Sequence, residues 1–300
     1  MNLLVTGAWK QAEEYLEILE NMGLQVCFLK NEKDELPCNY DWVEAVICNN
    51  LFMYHPIEQF GNLAYIQITS AGMDRLPLDY IRNKGIELHN AKGVYSVPMS
   101  EFVLGSVLNI YKELAYYRDN QKQHRWCKRY ELRELTDKEV YIIGCGDVGI
   151  ECAKRFKAFG CHVTGLNKTV MEKPFFDEVK PLSELNEELS KADIIVISLA
   201  LTKDTVHIIN WDILKNLREN SIFINVSRGS IINTEDLIRC IRENRIYAVL
   251  DVFDNEPLNT ASELWDMDRL YITPHSSYIG DHNNERIFRV IVENLRNRMF

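Results

Sequence analysis

The chain has 300 residues, 46% hydrophobic and 26% charged, which is enough to bury one large core or two medium ones. Its net charge of −10 argues against non-specific binding to nucleic acid, because nucleic-acid phosphates bind basic surfaces. No apolar run approaches the roughly 20 residues of a membrane-spanning helix, and the N-terminus lacks a signal-peptide pattern, so we expect no membrane partner.

The eight cysteines are scattered along the chain. None of them forms a C-x-x-C pair or a Cys/His pattern with the spacing of a zinc site, so we expect no bound metal. Several lie within apolar runs, which indicates reduced and buried thiols. Reduced thiols are typical of cytosolic proteins, so we predict a cytoplasmic location.

The first 90 residues alternate strand-like and helix-like segments, which indicates a compact α/β unit with a mostly parallel sheet. The predicted strands are residues 3–7, 25–29, 43–48, 64–69 and 86–89. The predicted helices are residues 11–22 and 76–83.

A long helix is predicted over residues 98–121, with apolar positions on more than one face. This pattern is typical of a helix buried between layers, between domains or in a dimer. The next segment, residues 121–138, is polar and charged but contains Trp126 and Tyr130. It is either a solvated connector or an arm that contacts a second subunit, since aromatic and Arg side chains favour interface cores.

A second α/β unit begins at residue 140. Its predicted strands are residues 140–143, 162–166, 194–199, 222–226, 248–252 and 271–273, and its predicted helices are 148–159, 182–189, 211–217 and 234–244. Six strands with intervening helices, opened by a Gly-rich turn, indicate a doubly wound, Rossmann-like dinucleotide-binding domain.

The C-terminal stretch contains an amphipathic segment, residues 287–295, which we expect to return to the first unit as a helix. We therefore predict an α/β protein with two doubly wound parallel-sheet domains and a cleft between them. The Rossmann-like domain comprises residues 96–275. The smaller, flavodoxin-like substrate domain is discontinuous and comprises residues 1–95 and 276–300.

The Gly-rich turn has the sequence Gly144-Cys145-Gly146-Asp147-Val148-Gly149, a G-x-G-x-x-G pattern between a strand and a helix. Gly144 permits the tight turn, Gly146 lets a pyrophosphate approach the backbone, and Gly149 lets the helix pack closely on the strand. The free N–H groups and the positive dipole end of that helix, which starts around Asp147 and Val148, would hold the phosphates. A structural turn that binds nothing would show the same three glycines.

Polar residues follow three of the predicted strands. Arg228 follows strand 222–226, Asp251 and Glu256 lie at and beyond the end of strand 248–252, and His275 follows strand 271–273. Ligands bind outside the carboxyl ends of strands in open α/β sheets. There, Arg can clamp a substrate carboxylate and His can exchange a proton near neutral pH. Taken singly, each residue also fits a structural role as a surface ion-pair partner, a loop acid or a hydrogen-bonded histidine.

Four motifs resemble the signatures of the D-isomer-specific 2-hydroxyacid dehydrogenase family, in the family's order and at similar spacing. They are the Gly-rich turn, Asn225-Val226-Ser227-Arg228-Gly229-Ser230, Leu250-Asp251-Val252-Phe253-Asp254-Asn255-Glu256-Pro257-Leu258, and Leu264-Trp265-Asp266-Met267 with Thr273-Pro274-His275-Ser276-Ser277. In the N-terminal third, Thr69-Ser70-Ala71-Gly72-Met73-Asp74 resembles the family's substrate-carboxylate loop. The resemblance covers most of residues 64–280.

The resemblance implies an NAD(P)-dependent oxidoreductase that interconverts a 2-oxo acid and a D-2-hydroxy acid by hydride transfer. Arg228 would bind and polarise the 2-oxo acid, and His275, held by Glu256, would donate a proton to the carbonyl oxygen. The N–H groups around Ala71 and Gly72, with Ser70 beside them, would bind the substrate carboxylate. Further residues would bind the cofactor: Leu199 and Ala200 on the adenine side, Asp251 at the nicotinamide end, and Val226, Ser227, Arg228 and His275.

The residues after the second strand of this domain bear on the choice of cofactor. An acidic residue about 20 positions beyond the Gly-rich turn normally bonds the ribose 2′-hydroxyl. Here the corresponding position is Asn167, 18 residues after Gly149, and Lys168 and Thr169 follow it. A carboxylate would repel a 2′-phosphate, whereas Lys168 can pair with it. We therefore predict a preference for NADP(H) over NAD(H); if Lys168 is only a solvated lysine, both cofactors bind.

Other functions stay open at this point. The family includes transcriptional corepressors, which are non-catalytic proteins that dimerise in response to nucleotide, but the chain shows no disordered tail or docking extension. Relatives of the same fold oxidise formate or phosphite, and the aromatic and apolar residues Tyr54, Met73, Tyr95 and Tyr278 discriminate only weakly against them. We expect a small 2-oxo acid such as glyoxylate, hydroxypyruvate or pyruvate, with a bulky branched acid as the alternative, and the family resemblance implies a homodimer.

Overall fold

The computed structural model describes residues 1–244 and 246–299. Two compact units divide the chain. The first unit comprises Met1–Tyr95 and the residues from Gly280 onward, and the second unit comprises Ser96–Ile279. The chain therefore returns to the first unit at Gly280, four residues beyond the predicted position 276.

The first unit contains a five-stranded, fully parallel sheet. Its strands are β1 (Asn2–Thr6), β2 (Gln25–Leu29), β3 (Ala45–Cys48), β4 (Tyr65–Ile68) and β5 (Glu87–His89). Their spatial order is β2-β1-β3-β4-β5, which is the flavodoxin-like order, so the strand order reverses between β1 and β3. The predicted doubly wound architecture is confirmed for this unit.

The helices of the first unit are α1 (Leu16–Asn21), α2 (Leu78–Lys84) and the C-terminal helix, Asn283–Met299. The prediction of one helix over residues 11–22 is wrong in its first half. Gln11 has a φ of 69°, and the chain then forms a 3-10 turn, Ala12–Tyr15, before the α-helix begins. The C-terminal helix buries Ile287, Ile291 and Leu295 in the core that contains Leu3 and Val5 of β1, as its amphipathic pattern predicts.

The second unit contains a seven-stranded, fully parallel sheet in the order β12-β11-β10-β9-β6-β7-β8. Its strands are β6 (Glu139–Ile143), β7 (His162–Asn167), β8 (Glu178–Pro181), β9 (Ile194–Ile197), β10 (Ile222–Asn225), β11 (Tyr247–Leu250) and β12 (Leu270–Ile272). The order reverses between β6 and β9, as in a Rossmann fold. The prediction of six strands missed β8, a polar edge strand that ends in a proline and gives no apolar signal.

The helices of the second unit are α3 (Ser96–Tyr111), α4 (Leu114–Lys122), α5 (Asp147–Ala158), α6 (Leu185–Leu189), α7 (Trp211–Leu214) and α8 (Thr234–Asn244). The C-terminal helix of the first unit is therefore α9. The single helix predicted over residues 98–121 is interrupted at Glu113, which has a φ of 49°. Val103 and Val107 of α3 are buried in one core cluster with Phe156 of α5.

Two further features of the sequence have a clear place in the structure. In the segment after α4, Trp126 and Tyr130 are 95% and 87% exposed.

All eight cysteines are free thiols, and five of them are buried: Cys48, Cys145, Cys152, Cys161 and Cys240. Burial raises the pKa of Cys152 to about 12, so this thiol stays neutral at physiological pH. Among the described residues, no helix is both long enough and apolar enough to cross a membrane.

Candidate active site

The Gly-rich turn lies at the carboxyl end of β6, where the strand order of the second unit reverses. Gly144 has a φ of +99°, and a Cβ there would lie 2.8 Å from the backbone N of Leu199. A Cβ on Gly149 would lie 2.2 Å from the carbonyl oxygen of Gly144, so the start of α5 approaches the turn too closely for any side chain. Both positions therefore require glycine for packing within the protein.

Gly146 differs from the other two glycines, because a Cβ built there meets no atom within 4 Å. The protein itself does not require glycine at this position, so its small size leaves open space beside the backbone. Gly146 is also the residue that precedes α5, whose first N–H groups, including those of Asp147 and Val148, have no acceptor within the helix. This arrangement fits a pyrophosphate group. Burial raises the pKa of the neighbouring Cys145 to about 11, against the opposing effect of Lys173, so the turn carries a neutral thiol.

The end of β7 carries the residues on which the cofactor prediction depends. The Asn167 side chain donates a hydrogen bond to the carbonyl oxygen of Thr169 at 3.0 Å. Lys168 Nζ lies 3.3 Å from Asp204 Oδ2, and both side chains are about four-fifths exposed, at 82% and 78%. The position after β7 therefore presents an amide and an ammonium group, and the carboxylate that pairs with Lys168 comes from the segment after β9.

The segment after β9 and the segment after β10 are joined by a side-chain hydrogen bond. Ser227 Oγ donates to the carbonyl oxygen of Leu199 in a short hydrogen bond. Leu199 and Val226 are buried, whereas Ala200 is exposed. These contacts fix the backbone on both sides of the sheet edge where a dinucleotide binds in folds of this kind.

The backbone at Arg228 is held by Asn225, the last residue of β10, which is fully buried. Its Oδ1 accepts from the N–H of Ser227 at 3.0 Å, and its Nδ2 donates to the carbonyl oxygen of Arg228 at 2.9 Å. The sequence analysis missed this role. The available signal was a polar residue in an otherwise apolar strand, since buried amides need partners.

Asp251 is fully buried and organises the segment that carries His275. Its Oδ1 accepts from Thr273 Oγ1 at 2.6 Å and from the N–H of Ser276 at 2.8 Å, and its Oδ2 accepts from the N–H of Ser277 at 3.0 Å. Its carbonyl oxygen accepts from the N–H of His275 at 2.8 Å. Because His275 has a φ of 49°, these bonds hold a backbone conformation that a non-glycine residue rarely adopts.

The side chain of His275 is held by Glu256. His275 Nδ1 lies 2.7 Å from Glu256 Oε2, and Glu256 Oε1 accepts from the N–H of Phe253 at 3.0 Å. A carboxylate can only accept hydrogen bonds, so Nδ1 carries the proton in this contact. Both side chains are about one-third exposed, at 32% and 34%. The imidazole is therefore oriented and accessible to a ligand.

The predicted substrate-carboxylate loop, Ser70-Ala71-Gly72, lies in the first unit and follows β4. The carbonyl oxygens of residues 69–72 all accept hydrogen bonds within this unit, from Tyr95, Ala91, Asn90 and Ser70 respectively. No acceptor among the described residues contacts the N–H groups of Ala71 and Gly72. The loop therefore presents donors, as binding of a carboxylate requires.

The structure brings the predicted catalytic residues Arg228, Glu256 and His275 to one sheet edge of the second unit, at the carboxyl ends of β10, β11 and β12. It places the predicted cofactor-binding residues at the carboxyl ends of β6, β7, β9 and β10 of the same sheet, with Asp251 and His275 at the ends of β11 and β12. Ser70, Ala71 and Gly72 belong to the first unit.

Comparison with known proteins agrees with this geometry. The family model described as D-isomer specific 2-hydroxyacid dehydrogenase, NAD binding domain, matches residues 104–277. The glyoxylate reductase/hydroxypyruvate reductase of Mus musculus is 32% identical over 224 residues, which are 72% of this chain and 67% of that protein.

Two crystal structures support the same comparison. A D-isomer specific 2-hydroxyacid dehydrogenase family protein from Aeromonas salmonicida subsp. salmonicida A449 has a TM-score of 0.86 at 29% identity, over 98% of this chain and 94% of that one. A D-isomer specific 2-hydroxyacid dehydrogenase from Xanthobacter autotrophicus Py2, in complex with NADPH and MES, has a TM-score of 0.78 at 26% identity, over 98% of this chain and 93% of that one.

Proposed function

Because the chain belongs to the D-isomer specific 2-hydroxyacid dehydrogenase family, and so is an NAD(P)-dependent oxidoreductase of 2-hydroxy acids, we propose that His275 is its proton donor. The observation that carries this proposal is the hydrogen bond between His275 Nδ1 and Glu256 Oε2 at 2.7 Å. With Nδ1–H engaged by the carboxylate, the proton on Nε2 is the one available to the carbonyl oxygen of a 2-oxo acid.

The nicotinamide cofactor supplies or accepts the hydride when it is bound. The chain's own residues orient the substrate and move the proton. The Arg228 guanidinium polarises the 2-oxo group and binds the acid, and the N–H groups of Ala71 and Gly72, with Ser70 beside them, bind its carboxylate. In the reverse direction, His275 takes the proton from the hydroxyl group of the 2-hydroxy acid while Glu256 stabilises the resulting imidazolium.

The residues around the Gly-rich turn would hold the dinucleotide. Gly144, Gly146 and Gly149 with the first N–H groups of α5 would hold the pyrophosphate, for which the open space beside Gly146 provides room. Leu199 and Ala200 would line the adenine side. Other residues would contact the nicotinamide end: Val226, Ser227, Arg228, Asp251 and His275. The second unit is then the nucleotide-binding domain and the first unit the substrate domain.

We also propose that NADP(H) is the preferred cofactor. Asn167 presents no carboxylate to repel a 2′-phosphate, and Thr169 adds a hydroxyl group. Lys168 Nζ pairs with Asp204 on the exposed surface, where a 2′-phosphate can replace that carboxylate as its partner. The related enzyme from Xanthobacter autotrophicus Py2 was solved with NADPH. A comparison of kcat/KM for NADPH and NADH tests this proposal, and a clear preference for NADH would contradict it.

The proposed substrate is a small 2-oxo acid, with glyoxylate and hydroxypyruvate favoured by the name of the mouse relative. The exposed Trp126 and Tyr130 after α4 support a homodimer, since such side chains are typical of interface cores. The names of the three relatives above describe reductases and dehydrogenases, so the alternative of a non-catalytic binding protein gains no support from them.

The variant His275→Ala tests the proton-donor role. We expect kcat for 2-oxo acid reduction to fall about 100- to 10,000-fold, which is the usual contribution of a positioned general acid. Binding of the reduced cofactor, followed by its fluorescence, should change little. His282→Ala is the matched control, because His282 is an exposed histidine outside the proposed site. Near-normal turnover by His275→Ala on every accepted acid would overturn the assignment.

A further inference from the structure

Arg75 is an exposed arginine, three residues beyond the Ser70-Ala71-Gly72 loop of the first unit. Its Nη1 donates a hydrogen bond to Asn50 Oδ1 at 2.9 Å. The ion pairs of the described residues do not include Arg75, so its guanidinium group faces a neutral acceptor and no carboxylate within 4.0 Å. A guanidinium group whose acceptor is a neutral amide can still form strong, paired hydrogen bonds to an anion.

Asn50 is itself held in place by Glu32. Glu32 Oε2 accepts from the N–H of Asn50 at 2.8 Å, and Oε1 accepts from the N–H of Asn49 at 2.6 Å and from Thr6 Oγ1 at 2.9 Å. Leu51, the next residue, is fully buried in the core of the unit. The amide that Arg75 contacts is therefore fixed at the carboxyl end of β3.

The hydrogen bond to Asn50 joins the segments that follow β3 and β4, which are neighbouring strands. It keeps the guanidinium group at the carboxyl edge of the sheet, on the side where the carboxylate loop begins. Three residues of extended backbone span at most about 10 Å, so the Cα atoms of Gly72 and Arg75 lie no further apart than that on the same edge of the sheet.

We propose that Arg75, with Asn50, is a subsite for a second anionic group, so that the preferred substrates are 2-oxo acids with a carboxylate or phosphate beyond the 2-oxo carbon. This inference rests on the proposed function, in which Ala71 and Gly72 bind the first carboxylate. A carboxylate or phosphate can accept two parallel hydrogen bonds from the Arg75 guanidinium and carries the opposite charge, whereas the Asn50 amide oxygen accepts one hydrogen bond and is neutral.

Two pairs of substrates with the same carbon chain length test the subsite. In each pair, one acid carries a second anionic group beyond the 2-oxo carbon and is called the anionic member, and the other carries an uncharged group there and is called the uncharged member. One pair is 2-oxoglutarate and 2-oxopentanoate, and the other is phosphohydroxypyruvate and hydroxypyruvate. The first pair tests a carboxylate and the second a phosphate. We expect the wild-type protein to favour the anionic member of at least one pair by about tenfold or more in kcat/KM.

The variant Arg75→Ala should lower kcat/KM for that anionic acid by about 10- to 100-fold and for its uncharged partner by less than about threefold. Arg75→Lys should restore part of the preference, because it keeps the charge and loses the paired geometry. Arg82→Ala is the matched control, since Arg82 is an exposed arginine on α2 of the same unit. A preference for the uncharged member of both pairs, or an equal loss on both members, would overturn the subsite.

The His275→Ala variant separates this inference from the proposed function. If His275→Ala abolishes turnover while Arg75→Ala does not discriminate between the members of a pair, the proposed function stands and the subsite fails. If the wild-type protein reduces glyoxylate but none of the four acids, the proposed function stands and the subsite fails; if it reduces neither glyoxylate nor any of the four, both fail.

Discussion

Replacement of Glu256 by Gln removes the charge that orients His275 and leaves the side-chain shape almost unchanged. In the structure, Glu256 Oε1 accepts from the N–H of Phe253 and Oε2 accepts from His275 Nδ1. The amide oxygen of a Gln can keep only one of these contacts. Because the Phe253 N–H is a fixed donor, we expect the oxygen to stay there and the NH₂ group to face Nδ1. Two donors then meet, and the hydrogen bond that orients the ring is lost.

The size of the effect follows from the geometry of this contact. A hydrogen bond to a charged group contributes about 1.5–3 kcal/mol, and an exposed ion pair contributes at most about 1 kcal/mol. The two side chains are 32% and 34% exposed, which places the pair between these cases. We take about 1–2 kcal/mol for the loss in the transition state, which corresponds to a fall in kcat of about 5- to 30-fold.

The assay is steady-state reduction of the best 2-oxo acid, followed by cofactor absorbance, for the wild type, Glu256→Gln and Glu263→Gln. Glu263 is the control because it pairs with Arg242 on the surface, away from His275. We expect cofactor affinity to be unchanged in both variants and kcat to fall only in Glu256→Gln. Full activity of Glu256→Gln would refute the positioning role, and so would a loss of the same size in Glu263→Gln.

Two further predictions concern packing and acid stability in the second unit. Gly149→Ala places a Cβ 2.2 Å from the Gly144 carbonyl oxygen, so it should destabilise the fold by about 1–3 kcal/mol in urea unfolding and weaken cofactor binding, whereas Gly146→Ala should leave stability nearly unchanged. Burial opposes ionisation of Glu188, but hydrogen bonds from Lys191 and Lys180 lower its pKa below the ordinary value of 4.5. Its contribution to stability is therefore full above about pH 4.5 and is lost as the pH falls through the lower pKa of the folded state, so Glu188→Gln should flatten the acid-unfolding curve in that range.

The spacing of apolar residues and the turn residues between them predicted most of the helices and strands, because both depend on local sequence. Val140 to Ile143 is an apolar run before a Gly-rich turn, and the structure makes it part of β6, an interior strand of the sheet. Edge strand β8 could not be found this way, since its four residues, Glu178–Pro181, contain no apolar run to mark a strand. The break at Glu113 also escaped prediction, because apolar residues continue on both sides of it.

The position of the site was predictable because the carboxyl ends of parallel strands lie at one edge of the sheet. Arg228, Glu256 and His275 each follow a strand, so their convergence on that edge of one sheet required only the strand order. The contacts that hold them did not follow from the sequence. Asp251 is proposed to contact the cofactor, but nothing in the residue pattern indicated that its buried carboxylate also accepts three hydrogen bonds from Thr273, Ser276 and Ser277. Such partners depend on tertiary register, which the residue pattern does not specify.

The two units differ at the point where the strand order of each sheet reverses. In the first unit, the strand order reverses between β1 and β3. There the Glu32 carboxylate accepts hydrogen bonds from the Thr6 hydroxyl, at the end of β1, and from the N–H groups of Asn49 and Asn50, just after β3. In the second unit, the order reverses between β6 and β9, and the space beside Gly146 is open within 4 Å. Helix starts and strand ends favour an anion in both units. The first unit supplies that anion from its own chain, so the pyrophosphate of a dinucleotide is assigned to the second.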